Sequence, residues 1–83
     1  MRVWLVERDY DDKGLVRLVY ATPDGSRVQV SERSSHMLED GSVTAAREVD
    51  AEDLDHVTEP DQRERYAAEV ERVRERHGPD DPI

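Results

Sequence analysis

Apolar residues alternate through two runs, Leu15 to Ala21 and Arg27 to Glu32, on either side of Thr22-Pro23-Asp24-Gly25, and this spacing predicts an antiparallel hairpin. Pro23 presets φ for the first central position of a type I turn, Asp24 suits the second, and Gly25 accepts the positive φ of a following bulge. A bulged turn sets Thr22 against Ser26, Tyr20 against Val28 and Leu18 against Val30. One face then carries Val16, Leu18, Tyr20, Val28 and Val30. A tighter turn sets Tyr20 against Gln29 and sends each strand's side chains to the wrong face of the pair, so the bulged turn is preferred.

Val3-Trp4-Leu5-Val6 is a continuous apolar run, the pattern of an interior strand covered on both faces. Asp9 to Gly14 supplies turn residues between this run and the hairpin. Ser31 to Ser42 reads as a polar crossover with one helical turn at His36-Met37-Leu38, capped by Ser34 or Ser35. Val43 to Val49 alternates as a strand, although Ala45-Ala46-Arg47-Glu48 also suits a helix; strand is preferred. Asp50 to Asp53 has capping-box spacing, with Leu54 and Val57 as anchors to the core. The last element is a helix capped by Thr58, with Pro60 in its first turn and Gly78-Pro79 at its end. Tyr66, Val70, Val73 and His77 fall within about 60° on such a helix. This stripe is expected on the sheet face of Leu18, Tyr20 and Val28.

The pattern therefore gives an α+β domain over residues 1–78, with a flexible tail over 79–83. Its sheet is antiparallel with three or four strands, the fourth beside the first, and one C-terminal helix packs on one face. At 83 residues without Phe, and with Ile83 the sole Ile, its core must be small and built from Val, Leu, Trp4 and Tyr. A second copy covering another face fits that economy.

Charge changes the picture of the surface more than of the fold. Twenty-one acidic and twelve basic residues give a net charge of −9, and Lys13 is the only lysine. Carboxylate-rich and lysine-poor, the chain resembles small acidic proteins of halophilic archaea in composition over its whole length. The resemblance implies a solvated acidic coat suited to molar salt, where the Debye length is about 3 Å and steering by surface charge is nearly abolished. It carries no active-site motif. The absence of cysteine removes disulfides and thiol chemistry. The apolar run at Val3 to Val6 is too short for a signal-peptide core or a membrane span, so a cytoplasmic protein without membrane association is expected.

Candidate chemistry is sparse. Asp9-x-Asp11-x-Lys13-Gly14 imitates the opening of a calcium loop, but Lys13 occupies a ligand position and Tyr20 stands where the bidentate Glu belongs. His36, His56 and His77 lack ligand spacing, and Ser34-Ser35-His36 lacks a nucleophile elbow. No catalytic residue, metal or cofactor is assigned, and a small metal-dependent enzyme using His36 or His56 ranks last. On the predicted helix Arg65, Arg72 and Arg76 line one side beside Glu64, Glu71 and Glu75. Without an interleaved aromatic this is a weak nucleic-acid face, and the arginine stripe serves as the alternative site for a nucleic-acid-associated regulator. The favoured reading is a non-enzymatic interaction module that binds a protein partner or its own copy through the sheet face away from the helix, carrying Leu15, Val19 and Ala21, with Trp4 as a candidate addition.

Overall fold

Three long strands form the centre of the molecule because the three apolar runs have period two and are joined by short turns. In the computed structural model, which describes residues 1–34 and 43–82, these are β1 (Arg2–Tyr10), β2 (Leu15–Ala21) and β3 (Arg27–Ser34). Two short strands, β4 (Ala46–Glu48) and β5 (Asp55–His56), flank them, and the helix α1 (Pro60–Arg76) follows. The sheet is antiparallel and ordered β4-β1-β2-β3-β5. It has five strands rather than three or four. The fourth lies beside β1 as expected, with Trp4 opposite Ala46. The fifth is two polar residues long and pairs with Arg27 and Val28.

The hairpin register differs from expectation by one residue. Tyr20 faces Gln29, Ala21 faces Val28 and Leu18 faces Ser31. Asp24 is the physical reason. Its Oδ1 accepts hydrogen bonds from the Ser26 backbone N–H at 3.0 Å and from the hydroxyls of Ser26 and Thr22, each at 2.7 Å. Ser26 is thereby held in the loop instead of joining the strand, and Thr22 donates its backbone N–H to Arg27 across a four-residue connection. The type I turn itself forms, with Gly25 donating to the Thr22 carbonyl at 2.8 Å and adopting φ 72°.

That slip exchanges the faces. Val28 now shares a face with Ala21, Val19 and Trp4, and α1 packs there through Tyr66, Val70 and Val73. The helix was expected over Leu18 and Tyr20. Val6 joins the helix face with Trp4 by alternation, and the bulge between Leu5 and Glu7 then sets Glu7 opposite Val19. The far face carries Val3, Leu5, Val16, Leu18 and Tyr20 with Val43 and Leu54. Residues 49–54 must cross it, since they join β4 at one edge of the sheet to β5 at the other. Both faces of β1 are therefore covered, as its unbroken apolar run predicts.

The helix begins one residue later than predicted: Glu59, not Thr58, is the N-cap, and no side chain caps it. Pro60 in the first turn and Asp61 beside it remain favourable there. The turn at Ala51–Asp53 is 3-10, and Leu54 and Val57 are buried as anchors. Where a free tail was expected, Ala46 donates to the Pro79 carbonyl and Ala45 to that of Asp81, so residues 79–82 lie along the outer edge of β4. The helical turn expected at His36 to Leu38 lies outside the described residues.

Candidate interaction surface

The closed half of the helix face is assembled by the hairpin turn meeting α1. Gly25 is buried there, and a Cβ at this position would stand 2.1 Å from the Arg63 carbonyl oxygen and 2.9 Å from the Ala67 nitrogen. Positive φ and this close approach both require glycine. The Arg63 guanidinium Nε donates to the Val57 carbonyl, tying the first helical turns to the segment after β5. Further along, the Arg74 guanidinium lies 5.9 Å from the centroid of the Trp4 ring.

This arrangement corrects the expected docking patch. Trp4, Val19 and Ala21 are 6%, 1% and 0% exposed, all within the cluster beneath α1, so three of the four residues are core. Leu15 alone remains at the surface, 38% exposed. The register is the reason: with Ser26 held in the loop, Val28 pairs with Ala21 and the helix packs on the face of Val19 and Ala21.

A second exposed apolar residue lies on the same face, separated from Leu15 by the Arg17–Glu32 pair. Val30 lies directly opposite Val19 on β2, yet it is 43% exposed because α1 packs over β1 and β2 and leaves this part of β3 uncovered. Asp9, Arg17 and Glu32 form a cross-strand row at this open end, Arg17 facing both carboxylates. A hollow of about 160 Å³ is lined there by Asp9, Tyr10, Asp11, Leu15, Arg17 and Glu32. Tyr10 is 65% exposed, with the Arg8 guanidinium 5.8 Å from its ring centroid. Asp11 is occupied as a turn residue, its Oδ1 accepting from the backbone N–H groups of Lys13 and Leu15, each at 2.9 Å. The calcium-loop imitation is thus used as a hairpin turn.

The open end adjoins a free strand edge. β5 pairs only with Arg27 and Val28, so among the described residues no strand lies beyond Gln29–Arg33. Two side-chain oxygens on this strand, Gln29 Oε1 and Ser31 Oγ, are shut from solvent and have no hydrogen-bond partner among the described residues. No sequence signal marked this edge, since it depends on how short β5 is.

Elsewhere, a hollow of about 410 Å³ is lined by Met1, Gln29, Arg47, Glu48, Val49, Asp50 and Asp53. Near it Tyr20 donates its hydroxyl to the Thr44 carbonyl at 3.1 Å, with the Arg47 guanidinium 5.3 Å from its ring. Burial pushes the Tyr20 phenol up, against the pull of Arg47, Arg33 and Arg8, which marks a structural phenol rather than a proton donor near neutrality. Arg65, Arg72 and Arg76 are exposed on α1, but Arg72 pairs with Glu69 at 2.6 Å and Arg65 lies 5.5 Å from the Tyr66 ring. Arg74 pairs with Glu71 at 3.5 Å on the same helix. His56 is exposed on β5, His77 is the C-cap of α1, and His36 lies outside the described residues.

No helix among the described residues is long and apolar enough to cross a membrane. Comparison with curated proteins and with solved structures finds no match. The family model that does match spans residues 1–83, and the chain accordingly belongs to DUF7967, a family of unknown function.

Proposed function

We propose that the chain is a non-enzymatic protein-interaction module, and that it meets its partner at the open end of the helix face and along the adjoining edge of β3. The observation that carries this reading is the contrast within one cross-strand pair: Val19 is 1% exposed and Val30 is 43% exposed on the same face. Leu15 adds a second exposed apolar residue on the same face, set apart from Val30 by the charged row of Asp9, Arg17 and Glu32. The setting proposed is a salt-rich cytoplasm, supported by the net charge of −9 and the single lysine.

A nucleic-acid role for Arg65, Arg72 and Arg76 has less behind it, since Arg72 already has a carboxylate partner. Photo-crosslinking in the source organism tests the main reading. A photoreactive residue at position 30 or 15 is expected to give protein adducts, and one at Glu71 on the outer helix face is expected to give none. Equal yields at all three positions, or none at 30 and 15, would overturn it.

A further inference from the structure

Resting on that reading, we infer that the occupant of the β3 edge is a second copy of this chain, added antiparallel about a two-fold axis through Ser31. The backbone directions come from two hydrogen bonds. The Arg27 carbonyl accepts from Thr22 and so points to β2, whereas the Ser26 carbonyl accepts from Val57 and points outward. Alternation then turns the N–H and C=O groups of Val28, Val30 and Glu32 outward and those of Gln29, Ser31 and Arg33 inward. Val28 is taken by β5, and among the described residues no strand pairs with the outward groups of Val30 and Glu32.

Symmetry leaves few registers. A two-fold axis normal to the sheet must pass through a residue, because opposite residues share a face. Centring on Val30 sets Glu32 against Val28 of the other copy, whose outward groups β5 already holds. Centring on Glu32 sets two carboxylates directly opposite, a destabilising pair. Centring on Ser31 sets Val30 against Glu32 of the second copy twice over, each pair exchanging two backbone hydrogen bonds, and the pairing ends before Ser34 meets the Val28 that β5 holds.

This register also answers the unpartnered side chains. Ser31 Oγ comes opposite its own counterpart, and Gln29 Oε1 comes opposite the Arg33 guanidinium of the second copy, each needing only a side-chain rotation to turn toward it. On the helix face the two Val30 side chains become diagonal neighbours across the axis. Both exposed valines are then partly covered, and no like charges stand directly opposite. The contact is small and joins two chains of charge −9, so it is a weak dimer whose association is strengthened by salt. A basic protein partner at the same edge has the opposite salt dependence.

The test is sedimentation equilibrium of the full chain at about 0.1 M and about 1 M KCl, spanning the change in Debye length from about 10 Å to about 3 Å. Amide exchange is followed at low and high protein concentration. The expected result is a dimer fraction that rises with salt, and protection of the Val30 and Glu32 amides that rises at least about tenfold with concentration while Ser31 and Arg33 stay constant. Glu32→Pro removes only an outward N–H, so it is expected to abolish the dimer with the monomer still folded. If that variant unfolds, Val30→Glu serves, placing a carboxylate directly opposite Glu32 of the second copy. A strict monomer at both salts, or a dimer that survives both substitutions, would overturn the inference. A monomer whose position 30 still crosslinks to another protein removes the second copy and keeps the interaction module; a monomer without crosslinks removes both.

Discussion

Val19 and Val30 face each other across β2 and β3 on one side of the sheet, yet one is core and the other surface. Nothing in their own chemistry separates them. The difference is which strands α1 covers: it packs over β1 and β2, with Gly25 admitting its backbone, and no element among the described residues covers Leu15 or Val30. Alternation in a sequence identifies which side chains share a face. Whether a face is interior or surface is decided by an element distant in sequence, here one whose seat depends on a turn glycine.

The closed half should break most completely when charge enters it. Val70 is fully buried among Trp4, Val19, Ala21 and Tyr66, so Val70→Asp places an unpaired carboxylate in an apolar site. A loss of about 3–5 kcal/mol is expected, enough to unfold much of so small a domain, read as lost near-ultraviolet dichroism of Trp4. Gly25→Ala should follow at about 2 kcal/mol or more, combining positive φ with the 2.1 Å approach to the Arg63 carbonyl. Chemical denaturation of that variant measures it, and a loss under about 0.5 kcal/mol would show that the helix does not rest on the turn.

Asp24 tests the register that decides which face is closed. Its carboxyl is held down to about 2 by the Ser26 backbone N–H first and then by the Thr22 and Ser26 hydroxyls. Folding thus favours the ionised form. The resulting stabilisation is complete above the ordinary value of 3.8 and is lost as pH falls toward about 2. Because the group is exposed, screening keeps the effect under about 1 kcal/mol. Asp24→Asn should flatten that part of the acid-unfolding profile, and an unchanged profile would separate Asp24 from the loop. The smallest effect belongs to the open half: Leu15→Thr should shift stability by no more than about 0.5 kcal/mol by thermal melting, because Leu15 is at the surface already.

The three long strands and the helix were legible because their periods are strong and their punctuation is explicit, Pro23-Asp24-Gly25 for the hairpin and Pro60 to Gly78 for the helix. The register was not, since it depends on three hydrogen bonds to one Asp24 oxygen that retain Ser26 in the loop. Which face the helix covers depends on that single residue, and with it whether Val19 and Ala21 are core or surface. β5 was illegible because Asp55 and His56 are too few and too polar to show alternation. The open edge of β3 follows from that brevity, so the candidate site became visible only with the topology.

Single cysteines test the central contrast most directly, because the chain has none of its own. Val19→Cys and Val30→Cys place the same thiol on directly opposite positions of one face, and labelling by a thiol reagent at low protein concentration and constant pH reports each rate. The account predicts that the thiol at position 30 reacts within about tenfold of an unfolded control and that the thiol at position 19 reacts at least about a thousandfold more slowly, through opening of the fold. Equal rates at the two positions would contradict it.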